Sequence, residues 1–106
     1  MRKLLKAAKR GNVLAQCVLG NLYFKGIGVP QDYFEALKWF EMSGKRGDPS
    51  AQFRLGLMYE GGYGVAPNRD EAVRWMQKAA LLGHTAAQYY LEIMFAKQDE
   101  SGDTAH

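Results

Sequence analysis

The sequence predicts an all-α fold: an α/α solenoid of antiparallel helix pairs, about six helices in all. Three observations predict it: a fixed internal period, apolar stripes at helical spacing within each copy, and glycine- and proline-rich breaks at matching places. With position i set against i+36, Gly11, Ala15, Gln16, Leu19, Gly20, Tyr23, Gly26, Gly28, Val29, Glu35, Ala36 and Trp39 meet identical residues from Gly47 to Trp75, without a gap. A third copy opens at Ala87-Gln88 and keeps Leu91. It then decays, with Glu92 in the column of Gly20 and Gly56, and Phe95 in that of Tyr23 and Tyr59. Such a period belongs to stacked units that bury their apolar faces on their neighbours.

Residues 1–10 (MRKLLKAAKR) are the tail of a second-type helix, because Ala7 and Ala8 align with Ser43-Gly44 and Ala79-Ala80. The first helix of a full copy covers 13–25, where Ala15, Leu19, Leu22 and Tyr23 make one apolar stripe. Ala51, Leu55, Met58 and Tyr59 repeat that stripe over 49–60. Second-type helices cover 32–46, with Ala36, Trp39, Phe40 and Ser43, and 68–82, with Ala72, Trp75, Met76 and Ala79. A last first-type helix covers 85–98.

The breaks agree with these spans. GIGVP at 26–30 and GYGVAP at 62–67 part the helices of each pair, since glycine accepts positive φ and proline cannot continue a helix. Val29 and Val65 are expected to plug these turns into the core. Asp32 with Glu35, and Asn68 with Glu71, resemble capping boxes. Asn12 and Asp48 read as N-caps, with Pro49 at the first helical position. Gly11, Gly47 and Gly83 stand where a left-handed residue ends a helix. The small residues let helix axes approach to about 8–9 Å, and Glu92 in a glycine column reads as the end of the array. The organisation is one domain over 1–98: half-repeat 1–10, repeats 11–46 and 47–82, and terminal half-repeat 83–98. A flexible acidic tail, 99–106, follows.

These residues carry a resemblance. A-x-x-x-L-G-x-x-Y-x-x-G-x-G-V, then E-A-x-x-W, then A-A-x-x-G, is similar to the Sel1-like repeat, a relative of the tetratricopeptide repeat. Copy two holds nearly the full pattern, from Ala51 to Gly83, while copy one departs at Ser43 and Gly44. The resemblance implies a right-handed superhelix and an adaptor role, binding a partner protein or peptide on the concave face. It also brings an alternative, the cysteine-rich branch that looks like β-lactam-binding or β-lactam-hydrolysing proteins. That branch carries paired cysteines in each repeat, whereas this chain has the single Cys17, and no catalytic residue is carried over.

If the concave face is lined by first-type helices, the arc opposite the core stripe holds Leu14, Cys17, Asn21 and Phe24. Phe53, Leu57 and Glu60 follow in copy two, and Tyr89 and Ile93 in copy three. Phe53, Leu57, Tyr89 and Ile93 then form a partly apolar groove of the kind that marks binding surfaces. The competing reading shifts the helical phase by one position and lets neighbouring helices cover these side chains.

Other functions find little support. A net charge of +3 is too slight to indicate nucleic acid. No apolar run approaches the roughly 18 residues that span a bilayer. Lys6, Lys9 and Arg10 interrupt any signal-peptide core, so the expected location is cytoplasmic, or periplasmic if the chain is a mature form. His84, His106 and Cys17 have no metal-ligand spacing; His84 aligns with the N-caps Asn12 and Asp48. Neither cofactor nor catalysis is expected. Basic residues crowd 1–10 and acidic ones 92–106, which suggests weak head-to-tail self-association.

Overall fold

The computed structural model describes the backbone of residues 1–104 and the side chains of residues 1–96. Its helices are α1 (Arg2–Lys9), α2 (Val13–Lys25), α3 (Tyr33–Lys45), α4 (Pro49–Gly61), α5 (Arg69–Leu81) and α6 (Thr85–Thr104), and no strand occurs among the described residues. Each helix packs on the one before it. The result is an all-α helical repeat solenoid measuring 57 × 27 × 17 Å. Its radius of gyration, 15.0 Å, exceeds the roughly 13 Å of a compact chain of about this length, as layers stacked in one direction require.

The helices begin and end where the sequence places them, with one exception. α6 passes the expected end at 98 and runs to Thr104, because Ala96, Lys97, Gln98 and Glu100 are good helix formers with no proline among them. The acidic tail's side chains, and residues 105–106, lie outside the described residues.

Capping repeats with the period. Asn12, Asp48 and His84 accept from the N–H of Ala15, Ala51 and Ala87 at 2.9, 3.2 and 3.2 Å, and Asp32 and Asn68 accept from Glu35 and Glu71 at 3.1 Å. The capping boxes are half-formed. The N–H groups of Asp32 and Asn68 already donate to the carbonyls of Tyr23 and Tyr59 at 2.9 Å, so Glu35 and Glu71 turn instead to Lys38 and Arg74. Gly26 and Gly62, at φ 72° and 73°, close α2 and α4 by donating to the carbonyls of Leu22 and Met58.

Burial follows the expected stripes. Ala15, Leu19, Ala51, Leu55 and Met58 are buried, as are all eight named positions of the second helices, while Leu22, Tyr23 and Tyr59 are half-buried. A Cβ on Gly20 would lie 2.7 Å from the Phe40 ring, and one on Gly56 2.7 Å from Cγ of Met76. Alanine at Gly20 must displace a rigid buried ring and is expected to cost about 1–3 kcal/mol. At Gly56 the thioether chain swings aside more easily, and alanine's better helix propensity offsets part of the strain. Chemical denaturation of the two variants checks this: the Gly20→Ala midpoint should fall clearly below that of Gly56→Ala. Glu92 in the same column is exposed.

One repeating device had no role assigned from sequence. Gln16, Gln52 and Gln88 each donate Nε2–H to a carbonyl eight residues back, those of Ala8, Gly44 and Ala80, at 3.0, 2.9 and 3.0 Å. These carbonyls belong to the last turn of the preceding second-type helix, where no intrahelical donor exists. The glutamine thus fixes each first-type helix to the repeat before it. The departure at Ser43 is satisfied locally, its hydroxyl donating to the Trp39 carbonyl at 3.2 Å.

Candidate functional site

The face formed by α2, α4 and α6 has a different phase from the one the sequence suggested. In the column Cys17/Phe53/Tyr89 each residue faces the N-terminus of the next first-type helix. Cys17 is only 5% exposed and lies against Ala51 and Leu55, and Phe53 stacks on His84 at 4.8 Å. Tyr89, with no such helix after it among the described residues, is 63% exposed. Cys17 therefore does not line a groove wall: α4 covers it. The outward column lies one position on, at Val18, Arg54 and Tyr90, in line with the competing phase.

Burial pushes the Cys17 thiol up to about 11, with the Asp48 carboxylate adding to the rise and Arg54 opposing it. Two units leave about a hundredfold less thiolate near neutral pH, so alkylation at pH 8 should be at least that much slower in the folded chain than in urea. Because the folded thiol holds its proton when the unfolded one has lost it, stability should decline as pH rises from about 9 towards 11. Equal alkylation rates in the two states would contradict this placement.

A cavity of about 310 Å³ opens on this face. Phe24 at the end of α2, Tyr33 at the start of α3, and Leu57 and Glu60 on α4 line it, together with Arg54, Gly61, Tyr63 and Tyr90. Its wall is an aromatic cluster: Phe24 lies 5.1 Å from Tyr33 and 5.7 Å from Tyr63, and Tyr33 and Tyr63 are 5.3 Å apart. Tyr63 reaches this cluster because Gly61 has no side chain, a Cβ there striking the Tyr63 ring. Arg69 anchors the lower edge, donating to Glu60 at 3.2 Å and to the Met94 carbonyl at 2.9 Å. Arg54 makes no ion pair among the described residues.

Of the sequence-derived set, Phe24, Leu57 and Glu60 meet in this cavity, and Phe53 flanks it through Tyr90, 6.0 Å away. Asn21 is half-buried, with a buried Oδ1 that has no partner in the protein. Leu14, 70% exposed, and Ile93, 53% exposed, lie outside the cavity lining. Sequence reasoning missed Tyr33, Arg54, Tyr63 and Tyr90. A one-position phase shift would have found Arg54 and Tyr90, and the change from Ile27 to Tyr63 between copies was the visible trace of the third. Among the described residues no group of acidic, histidine or cysteine side chains is placed to hold a metal, and no helix is long and apolar enough to cross a membrane.

The Sel1 repeat profile matches residues 13–48 and 49–84. This chain belongs to the Sel1 repeat family. Each family unit starts on a first-type helix, two residues later than the repeat boundaries read from sequence. A Sel1 repeat protein from Oxalobacter formigenes is 41% identical over 89% of this chain and 27% of its own, with a TM-score of 0.86. A protective antigen of uropathogenic Escherichia coli with an SLR fold is 41% identical over 80% of this chain and 18% of its own, with a TM-score of 0.79. Cysteine rich protein B of Helicobacter pylori is 27% identical over 84% of this chain and 67% of its own, with a TM-score of 0.79. The chain thus spans less than a third of the length of either of the first two. No protein of curated function matches it. Sel1 repeats are in general protein-interaction scaffolds rather than enzymes.

Proposed function

We propose that this Sel1 repeat chain binds a short segment of a partner protein on the concave face, in the cavity between Phe24 and Tyr90. The observation that carries the reading is the cavity's composition. Four aromatic rings and Leu57 surround a space of about 310 Å³ beside Arg54, a cation without an ion pair among the described residues. Rigid aromatic walls supply apolar area at low entropic cost, and a guanidinium at the rim takes a carboxylate in two parallel hydrogen bonds. The segment is therefore a bulky apolar side chain next to Asp, Glu or a chain-terminal carboxylate.

Selection of random twelve-residue peptides against the folded chain tests this. Apolar–acidic pairs should be enriched, and binding of the selected peptides should fall at least tenfold with Leu57→Asp and with Arg54→Glu. Leu14→Asp, away from the cavity, should leave it unchanged. Peptides that bind equally to the Leu57 and Arg54 variants would remove this cavity as the binding site.

A further inference from the structure

The last joint of the solenoid repeats two earlier joints, except that no side chain fills it. In the first joint, Trp39 packs against Ala8, Ala15 and Leu19, with Leu5 beside them. In the second, Trp75 lies with Ala51 and Leu55, over Gly44. The third equivalents, by the 36-residue period, are Ala80, Ala87 and Leu91. There the surface carries a cavity of about 340 Å³ lined by Gln77, Ala80, Leu81 and Leu91, of which Gln77, Ala80 and Leu91 are the counterparts of Leu5, Ala8 and Leu19. The rim has also changed character. Lys9 and Lys45 become Leu81, which is 87% exposed, and Arg10 and Arg46 become Leu82, also exposed.

We infer that this cavity is an indole seat that takes a helix from another protein, one that presents a tryptophan to Ala80 and Leu91 as α3 presents Trp39 to Ala8 and Leu19. The occupant differs from a further copy of α3 in one respect. Phe40, next to Trp39, covers Gly20, and Met76, next to Trp75, covers Gly56, each within 2.7 Å of where a Cβ would stand. Glu92 occupies that column in the third joint, so the residue after the incoming tryptophan is small. A second copy of this chain does not meet these conditions, since Lys3 and Leu4 stand in its Trp39 and Phe40 columns. This binding surface is separate from the aromatic cavity, with which it shares no lining residue.

The test uses a fluorescein-labelled peptide of residues 31–47 carrying Phe40→Ala, stapled across the exposed positions 34 and 38 to hold it helical. Fluorescence anisotropy with the full chain should show saturable binding. Affinity should drop at least tenfold for the peptide with Trp39→Ala and for protein variants Ala80→Phe, which fills the seat, and Leu81→Asp, which charges its rim without touching the core. The peptide that keeps Phe40 should bind several-fold more weakly, and Leu57→Asp should change nothing. Circular dichroism confirms that each variant is folded. Absence of saturable binding, insensitivity to the Trp39 or Leu81 substitution, or tighter binding of the Phe40 peptide would overturn the inference. So would a concentration-dependent dimer abolished by Leu81→Asp, which would make a second copy the occupant.

Discussion

Replacing Phe40 with alanine is expected to lower the unfolding free energy by about 3–5 kcal/mol. The ring is fully buried and lies between α2, where it covers Gly20, and the cluster holding Ala36 and Leu55. Neither wall can close on the space it leaves. Gln16 ties α2 to the Ala8 carbonyl and Gln52 ties α4 to that of Gly44, so the helices keep their separation and the cavity persists. Against a total of roughly 5–15 kcal/mol for a domain of this kind, the loss is a large fraction. Urea denaturation followed by circular dichroism measures it. Phe40→Leu, which retains most of the volume, should lose about 1 kcal/mol; equal losses for the two variants would show that the ring's packing does not matter.

Trp75→Ala is expected to cost a similar 3–5 kcal/mol, for a different reason. Phe40 fills the interior of one helix pair, whereas Trp75 spans the joint between repeats, against Leu55 on one side and Gly44 on the other. The Lys78 ammonium sits 4.6 Å from the ring and adds about 0.5–1 kcal/mol at an exposed site. In a solenoid each unit is held mainly by its neighbour, so opening this joint should destabilise α5 and α6 before the rest. Hydrogen exchange resolves that order: amides of residues 69–90 should lose protection while those of 13–25 keep more of theirs. A uniform loss along the chain would mean that the repeats unfold as one unit.

Much of the fold was legible because its determinants are local or periodic. The Ala15-to-Tyr23 stripe, the Gly26 and Gly62 caps and the N-caps Asn12, Asp48, Asp32 and Asn68 all act within a few residues of themselves, and the 36-residue identity between copies shows which of them recur. The family follows from the same residues. His84 illustrates the strength of the period: aligned with two N-caps, it accepts from the Ala87 N–H as they do from their own third residues. The end of α6 was less legible, because residues 96–100 contain neither a breaker nor a cap, and helix propensity alone carries the helix on to Thr104.

The amino-acid sequence by itself determined the helix count, the pairing, the core stripes and the family, because each depends on spacing along one chain. Only the tertiary structure decided which side of α2, α4 and α6 faces outward. That depends on where the next first-type helix lands, and the landing buries Cys17, stacks Phe53 on His84 and turns Arg54 and Tyr90 to the surface. A helix fixes the angles between its own residues, but its absolute rotation is set by whatever packs against it. The aromatic cavity belongs to the same class of fact: Phe24, Tyr33, Tyr63 and Tyr90 come from two repeats and the terminal helix, and no single stretch of sequence brings them together.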